Sequence, residues 1–310
     1  MGIVICEFMD EQAVAQLAAC FEVVYDNTLV DRPAELAQRL AMAEALIVRN
    51  RTKVNTALLD AAPRLEIIGR LGVGLDNIDQ GACAARGIAV IPATGANALA
   101  VAEYVIAAAM ILLRGAYRST DQVARGDWPR GALSNGRELS GKTRGLIGCG
   151  GNGRLTGRLA RAWGIRVIGY DTNLPPSASA SVDEAIEAKS MEDVLTEADI
   201  VSVHVPLTPE TRNLIDAGAL AKMKTDAVLI NTARGGVVDE AAVASALRSG
   251  KLGGAALDVF DDEPLKDGSP LAGCPNLLLT PHIAGVTHES NIRVSMLIAE
   301  KVAAALARAA

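Results

Sequence analysis

Residues 145–153 read GLIGCGGNG and set Gly148, Gly150 and Gly153 in the spacing G-x-G-x-x-G. Glycines so spaced suit a phosphate chain. The first permits a tight turn, the second lets backbone approach a pyrophosphate, and the third lets a helix pack closely on a strand. The flanking residues have the order this chemistry needs. Arg144–Ile147 predicts a strand, Asn152–Trp163 a helix and Arg166–Tyr170 a second strand. Phosphate oxygens would rest on free N–H groups at the positive end of that helix, around Gly151, Asn152 and Gly153. Asp171 closes the second strand, and Thr172 and Asn173 follow it rather than an arginine. A carboxylate there can accept both ribose hydroxyls of NAD and would repel the 2′-phosphate of NADP. A glycine turn and an exposed aspartate are the plainer reading of each piece alone. Strand, turn, helix, strand and acid in one order favour NAD.

A nicotinamide exchanges hydride with a carbonyl carbon, and a 2-oxo acid substrate sets three further demands. One group must hold the carboxylate and polarise the carbonyl. An acid must protonate the developing alkoxide, and a third group must tune that acid. The second half of the chain offers Arg234 in NTARG, His282 in TPHIAG and Glu263 in the triplet DEP. Singly, each has a duller reading: a surface charge after a strand, a structural histidine, turn chemistry before Pro264.

Their surroundings are long, ordered motifs. Residues 199–215 read DIVSVHVPLTPETRNLI, 230–240 INTARGGVVDE, 254–264 GAALDVFDDEP and 280–285 TPHIAG, with GVGLDNID at 72–79 and VAEYV at 101–105. From about residue 45 to the end, the chain resembles the D-isomer-specific 2-hydroxyacid dehydrogenases. The resemblance implies that Arg234 is the substrate arginine, whose planar fork binds carboxylate and carbonyl oxygen. It implies that His282 is the general acid/base and Glu263 its partner. A carboxylate beside an imidazole favours the imidazolium and keeps a proton available. Glutamate at 263, where formate dehydrogenases of this family carry glutamine, argues against that branch. Asp258 in ALDVF matches the contact to the nicotinamide carboxamide. Thr232 and Ala233 match backbone contacts to the cofactor, and Val205 and Pro206 match the apolar wall of its pocket. Ala284 and Gly285 complete the cofactor set with Arg234 and His282, while His204 reads as cofactor-loop structure. Val73 and Gly74 resemble an N–H pair that cradles the substrate carboxylate, and Asn97 a residue that aligns substrate or acts as a hinge. Arg144 and Cys149 depart from the family pattern, standing where apolar side chains are expected. Asn152 replaces the usual Ile or Leu, and Ala100 a frequent serine. None removes a catalytic group.

The substrate's identity depends on the N-terminal part. Residues 47–53 read IVRNRTK, so Arg49, Asn50, Arg51 and Lys53 follow a predicted strand end, and Arg70 precedes GVG. Singly these are solvated charges; as a cluster in an acidic chain they suggest a second anionic group on a small 2-hydroxy or 2-oxo acid. EFMDE, VRNRTK, RLGVGLDNID, IPATGANALAVAEYV and GVTHESNIRVS together resemble the (S)-sulfolactate dehydrogenase branch. Phosphoglycerate and glyoxylate/hydroxypyruvate enzymes are the alternatives, and an NAD-sensing corepressor-like protein is the alternative of a different class. In sulfolactate the sulfur-bearing carbon outranks the carboxyl, so the (S) label describes the same arrangement as D-lactate.

Short apolar strands alternate with helical stretches through 310 residues, which implies α/β architecture with parallel sheets covered on both faces. Strands are expected at Ile3–Cys6, Val23–Tyr25, Ala45–Val48, Ile67–Arg70 and Ala89–Ile91. A second series begins near Arg144 and continues through Ile200–Val203, Ala227–Asn231, Gly254–Leu257 and Leu277–Leu279. The apolar helix Ala98–Leu113 joins the two series and could be core or a dimer seat. A loop is expected over Gly115–Gly141 and another over Leu174–Ser181, and a last helix over Ser290–Ala309. The layout expected is two doubly wound parallel-sheet domains. A Rossmann cofactor domain, 97–283, is inserted in a flavodoxin-like substrate domain, 1–96 and 284–310, with a cleft between them. His288 reads as solvent-facing or at a domain seam.

Composition excludes other classes. Thirty Lys and Arg against 36 Asp and Glu leave a net charge of −6, which argues against nucleic acid as a partner. No apolar run reaches the length of a membrane span, and MGIVICEFMDE lacks the basic start of a signal peptide. The five cysteines include no CxxC pair, so no zinc or other metal site and no disulfide framework are expected, only buried free thiols in a reducing cytoplasm. The family resemblance implies a homodimer.

Overall fold

The computed structural model describes residues 2–173 and 186–309, so the expected loop at 174–181 lies outside the described residues. The chain divides into two compact units: Met1–Asn97 with Val286–Ala310, and Ala98–Gly285.

The first unit opens with β1 (Gly2–Ile5), α1 (Glu11–Ala18), β2 (Glu22–Tyr25), α2 (Pro33–Leu40) and β3 (Ala45–Val48). It continues with α3 (Thr56–Asp60), β4 (Ile67–Arg70), α4 (Gln80–Ala85) and β5 (Ala89–Pro92). The second unit contains α5 (Ala98–Arg114), α6 (Thr120–Ala124), β6 (Thr143–Ile147), α7 (Gly151–Arg161), β7 (Arg166–Tyr170), β8 (Glu187–Ala188) and α8 (Met191–Glu197). It closes with β9 (Ile200–Val203), α9 (Ala217–Lys222), β10 (Val228–Asn231), α10 (Glu240–Arg248), β11 (Gly254–Leu257) and β12 (Leu277–Leu279). Then α11 (His288–Ala309) returns to the first unit.

The first sheet runs β2-β1-β3-β4-β5 and the second β12-β11-β10-β9-β6-β7-β8, with every pair parallel. Parallel strands need cover on both faces, and their residues read accordingly. All four residues of β3, β9, β10 and β11 are buried. Helix starts are set by short polar caps. Asp10 accepts the Gln12 N–H, Asn55 that of Leu58, Asp216 that of Ala219 and Asp239 that of Ala242. Helix α4 starts at Gln80 because Asp79 is its cap, bonded to the Ala82 N–H.

In the first unit, Val294, Ile298, Val302 and Leu306 recur at helical spacing along α11 and pack into one core with Ile3, Ile5 and Ile47. In the second, Val101, Val105, Ala109 and Leu112 of α5 are buried against Leu146, Val228 and Ile230. Most of that helix's apolar length is therefore core.

The structure corrects several expectations. The stretch Gly115–Gly141 holds the short helix α6, and β8, α8 and α9 were not expected. Among the cysteines, Cys6, Cys83 and Cys149 are buried, but Cys20 is exposed and Cys274 only half-buried. The last helix begins at His288 rather than Ser290, and His288 is exposed, in line with the solvent-facing reading. Among the described residues, no helix is long and apolar enough to cross a membrane, and no cluster of His, Cys, Asp and Glu could hold a metal.

Candidate active site

In the second sheet the strand order reverses at β6, which has β7 on one side and β9 on the other. Ligands of open α/β sheets bind at the carboxyl ends of strands where the order reverses. Here that place holds the glycine loop after β6 and His204 after β9. Gly148 has φ +96, and a Cβ on it would lie 2.8 Å from the His204 carbonyl carbon. A Cβ on Gly153 would lie 2.2 Å from the Gly148 oxygen. Nothing lies within 4 Å of a Cβ built on Gly150 or Gly151. The loop is thus closed against the sheet and open in front of α7, whose N-cap Gly150 brings no side-chain cap. Open space before first-turn amides fits a pyrophosphate.

Asp171 ties this loop down. Its Oδ2 accepts the Cys149 N–H at 2.7 Å and its Oδ1 the Asn173 N–H at 2.9 Å. Each oxygen keeps a lone pair for a ribose hydroxyl. Asn152 lies half-buried in the first turn of α7, and its carbonyl accepts the Thr156 hydroxyl. His204 faces the Ser202 hydroxyl through Nε2 at 3.0 Å. Burial, and then the nearby Arg144 charge, push its pKa down to about 3, so the ring is neutral. This agrees with a structural role. Val205 is half-buried and approaches Gly148, while Pro206 is exposed and accepts the Thr211 hydroxyl.

The next strand end carries Arg234. Asn231, buried at the end of β10, accepts the Ala233 N–H on Oδ1 and donates from Nδ2 to the Arg234 carbonyl. One amide thereby clamps the turn Thr232–Arg234. The Arg234 guanidinium donates to the Ala233 carbonyl at 2.6 Å. Gly235 follows because nothing larger fits: a Cβ there would lie 1.8 Å from the Phe260 oxygen. The Phe260 N–H donates to Glu263 Oε1 at 3.1 Å, and Glu263 Oε2 lies 2.7 Å from His282 Nδ1. Glu263 and His282 are both exposed. With Nδ1 engaged by the carboxylate, Nε2 is left to meet a substrate.

His282 has φ +54, a left-handed conformation uncommon for a side chain of its size. Asp258 enforces it. The Asp258 carbonyl accepts the His282 N–H at 2.8 Å. Its carboxylate, 1% exposed, accepts the Ile283 and Ala284 N–H groups, both at 2.8 Å, and the Thr280 hydroxyl at 2.6 Å. The Tyr104 hydroxyl lies 2.6 Å from Thr280 Oγ1. Gly285, half-buried, follows this loop. The structure therefore joins His282, Glu263, Asp258 and Ala284 in one bonded group. Sequence reasoning missed the supports Asn231, Gly235, Thr280 and Tyr104. All four stand inside motifs already singled out, but their partners are remote in sequence.

The first sheet reverses its order at β1, between β2 and β3. Glu7 follows β1 and Arg49–Thr52 follows β3, so both stand at that reversal. Glu7, 3% exposed, accepts the N–H groups of Arg49, Asn50, Arg51 and Thr52. Burial pushes its carboxyl pKa up, but the amides of Thr52, Arg49 and Arg51 pull it down further, and the net direction is down. The loop's amides are thus filled by an internal carboxylate; of its side chains Asn50 and Arg51 are exposed, Arg49 is half-buried and Thr52 is buried. Arg49 donates to Asn291 Oδ1 at 2.8 Å and lies 5.8 Å from the centre of the Phe8 ring. Arg51 is ion-paired with Asp31, and Asn50 and Lys53 are exposed. Val73 is exposed and Gly74 half-buried beside it. Arg70 turns back to the Leu71 carbonyl. Among the described residues, the buried Asn97 Oδ1 has no hydrogen-bond partner.

Residues 106–284 match the family described as D-isomer specific 2-hydroxyacid dehydrogenase, NAD binding domain. An (S)-sulfolactate dehydrogenase of Chromohalobacter salexigens is 51% identical over 304 residues, covering 98% of each chain. A D-3-phosphoglycerate dehydrogenase of Mycobacterium leprae is 40% identical over 307 residues, but the chain spans only 57% of that protein's length. The crystal structure of the TT0316 protein from Thermus thermophilus superposes with a TM-score of 0.89 at 34% identity, covering 99% of this chain and 97% of the other.

Proposed function

The chain belongs to the D-isomer specific 2-hydroxyacid dehydrogenase family, and from that premise we propose that it interconverts a D-configured, dianionic 2-hydroxy acid and its 2-oxo acid with NAD. (S)-3-sulfolactate and 3-sulfopyruvate are the pair favoured. The observation that carries the catalytic part is the His282–Glu263 contact at 2.7 Å, on a loop held in a left-handed turn. The likeness to a sulfolactate enzyme over nearly the whole of both chains supports the substrate.

The glycine turn, Asp171, Val205, Pro206, Thr232, Ala233, Asp258, Ala284 and Gly285 would hold the cofactor. When bound, NADH supplies the hydride for C2 of the oxo acid. Arg234 holds the substrate carboxylate and polarises the carbonyl through its fork. His282 gives its Nε2 proton to the carbonyl oxygen as that oxygen gains charge. Glu263, bonded to Nδ1, fixes the ring's orientation and leaves Nε2 facing the reacting oxygen. In oxidation neutral His282 takes the hydroxyl proton. In the first unit, Arg49 is proposed to read the second anion, with Arg51, Asn50, Val73, Gly74 and Asn97 contributing to substrate binding. A homodimer in the cytoplasm is proposed on family resemblance alone, and the mass of the purified protein in solution tests the dimer.

The test is reduction of 3-sulfopyruvate by NADH with analysis of the product's chirality. The wild type is expected to give (S)-sulfolactate, and His282→Gln to lose nearly all turnover. The opposite enantiomer, or full activity in that variant, contradicts the proposed function.

A further inference from the structure

We propose that Tyr104 and Thr280 are positioning residues for His282, acting through the Asp258 carboxylate. This rests on the reading of His282 as the acid/base. Thr280 donates its hydroxyl proton to Asp258 Oδ1, so its oxygen accepts from the Tyr104 hydroxyl. Asp258 in turn accepts the amides of Ile283 and Ala284, the two residues that follow His282, and its carbonyl accepts the His282 N–H. A chain of hydrogen bonds therefore runs from α5 through the Asp258 carboxylate to the two backbone amides that follow the histidine. Such chains polarise one another in a water-poor interior.

Tyr104 stands on a helix whose buried side is otherwise apolar. A phenol hydroxyl turned into such a seam is costly unless bonded. Burial pushes the phenol's pKa up from its ordinary value, so the hydroxyl remains a donor throughout the working range. Without the Thr280 hydroxyl, Asp258 Oδ1 keeps only the Ile283 amide. Without the Tyr104 hydroxyl, Thr280 loses the donor that orients its proton. Either change loosens the loop that holds His282 at φ +54, and small misplacements of a catalytic group are expensive in rate.

The experiment uses the full-length enzyme with NADH and the 2-oxo acid that it reduces best. Tyr104→Phe is expected to lower kcat about 3–10-fold and Thr280→Val about 10–30-fold, with NADH affinity and Tm little changed. The double variant should be no worse than Thr280→Val, since both act along one chain. Thr280→Ser should restore most of the rate, and the solvent deuterium isotope effect on kcat should rise in Tyr104→Phe because proton transfer is what slows. Wild-type kcat in Tyr104→Phe and Thr280→Val overturns the proposal. So does a loss shared equally by NADH affinity and Tm with no change in the isotope effect. His282→Gln is run beside them: if it keeps full rate, the acid/base reading itself has failed; if it is inactive while Tyr104→Phe is unaltered, only the positioning role has.

Discussion

Asp171 carries two tasks that substitution can separate. Its carboxylate accepts the Cys149 N–H that shapes the glycine loop, and it is the group proposed to take the ribose hydroxyls. Asp171→Asn keeps an acceptor for the amide but removes the charge. It is expected to weaken NAD binding about 10–100-fold and to narrow the preference over NADP, read as the ratio of kcat/KM for the two cofactors. An unchanged ratio would remove Asp171 from cofactor choice. Arg49 and Arg51 separate in a similar way. Arg51 already pairs with Asp31 on the surface, whereas Arg49 is fixed by Asn291 and Phe8. Arg49→Ala should raise KM for a dianionic substrate about tenfold or more and change KM for D-lactate much less, with Arg51→Ala the milder variant. Equal effects on both substrates would sink the reading of a second anion. Glu7, holding the backbone beneath them, gives unit 1 an acid limit. Its carboxyl pKa is lowered in the fold, so its stabilisation is complete above the unfolded value of about 4.3 and disappears as pH falls through the lower folded value. Unfolding by urea at descending pH, wild type against Glu7→Gln, shows that limb directly.

At the scale of elements, β6 carries an anomaly. Arg144 is fully buried, and among the described residues its three guanidinium nitrogens have no hydrogen-bond partner. Its pKa is pushed down to about 10 by burial, and its charge helps keep His204 neutral. Removal of an unpartnered buried cation relieves desolvation, so Arg144→Leu is expected to stabilise the protein by about 1–3 kcal/mol. His204 makes a linked prediction. Its folded pKa of about 3 lies below the unfolded value of about 6.5, so the unfolded chain binds an extra proton between those limits. Stability should fall with pH through that window by about 1.4 kcal/mol per unit, and His204→Gln should lack this component. A flat difference between the two proteins from pH 6 to 4 would show that the ring is not neutral as described. Strands β3, β4, β7, β9, β11 and β12 have the ends their apolar runs predict. Missed helices α8 and α9 are short and bury little, Val194 and Leu195 in one and Leu220 in the other, so they leave no period to detect. Catalytic candidates stood inside ordered motifs and were legible. Tyr104 and Thr280 were not, because 176 residues separate them and only the fold brings their hydroxyls together.

Over the whole molecule, each unit carries a parallel sheet whose strand order reverses once, and each reversal gathers the groups that could bind an anion or a dinucleotide. In one unit the glycine loop, Asp171 and His204 stand there. In the other, Glu7 and the loop Arg49–Thr52 do. Arg234 and His282 follow strands at the same carboxyl edge of the second sheet, where Asn231, Asp258 and Glu263 hold them. The activity proposed is oxidation of a D-configured 2-hydroxy acid bearing a second anion. The most direct measurement is the initial rate of NADH formation by the purified protein with D-lactate, glycerate, 3-phosphoglycerate and both sulfolactate enantiomers, with NADP in parallel. The highest kcat/KM is expected with (S)-sulfolactate and NAD. Measurable NADH binding without turnover of any of these acids would contradict the proposed activity.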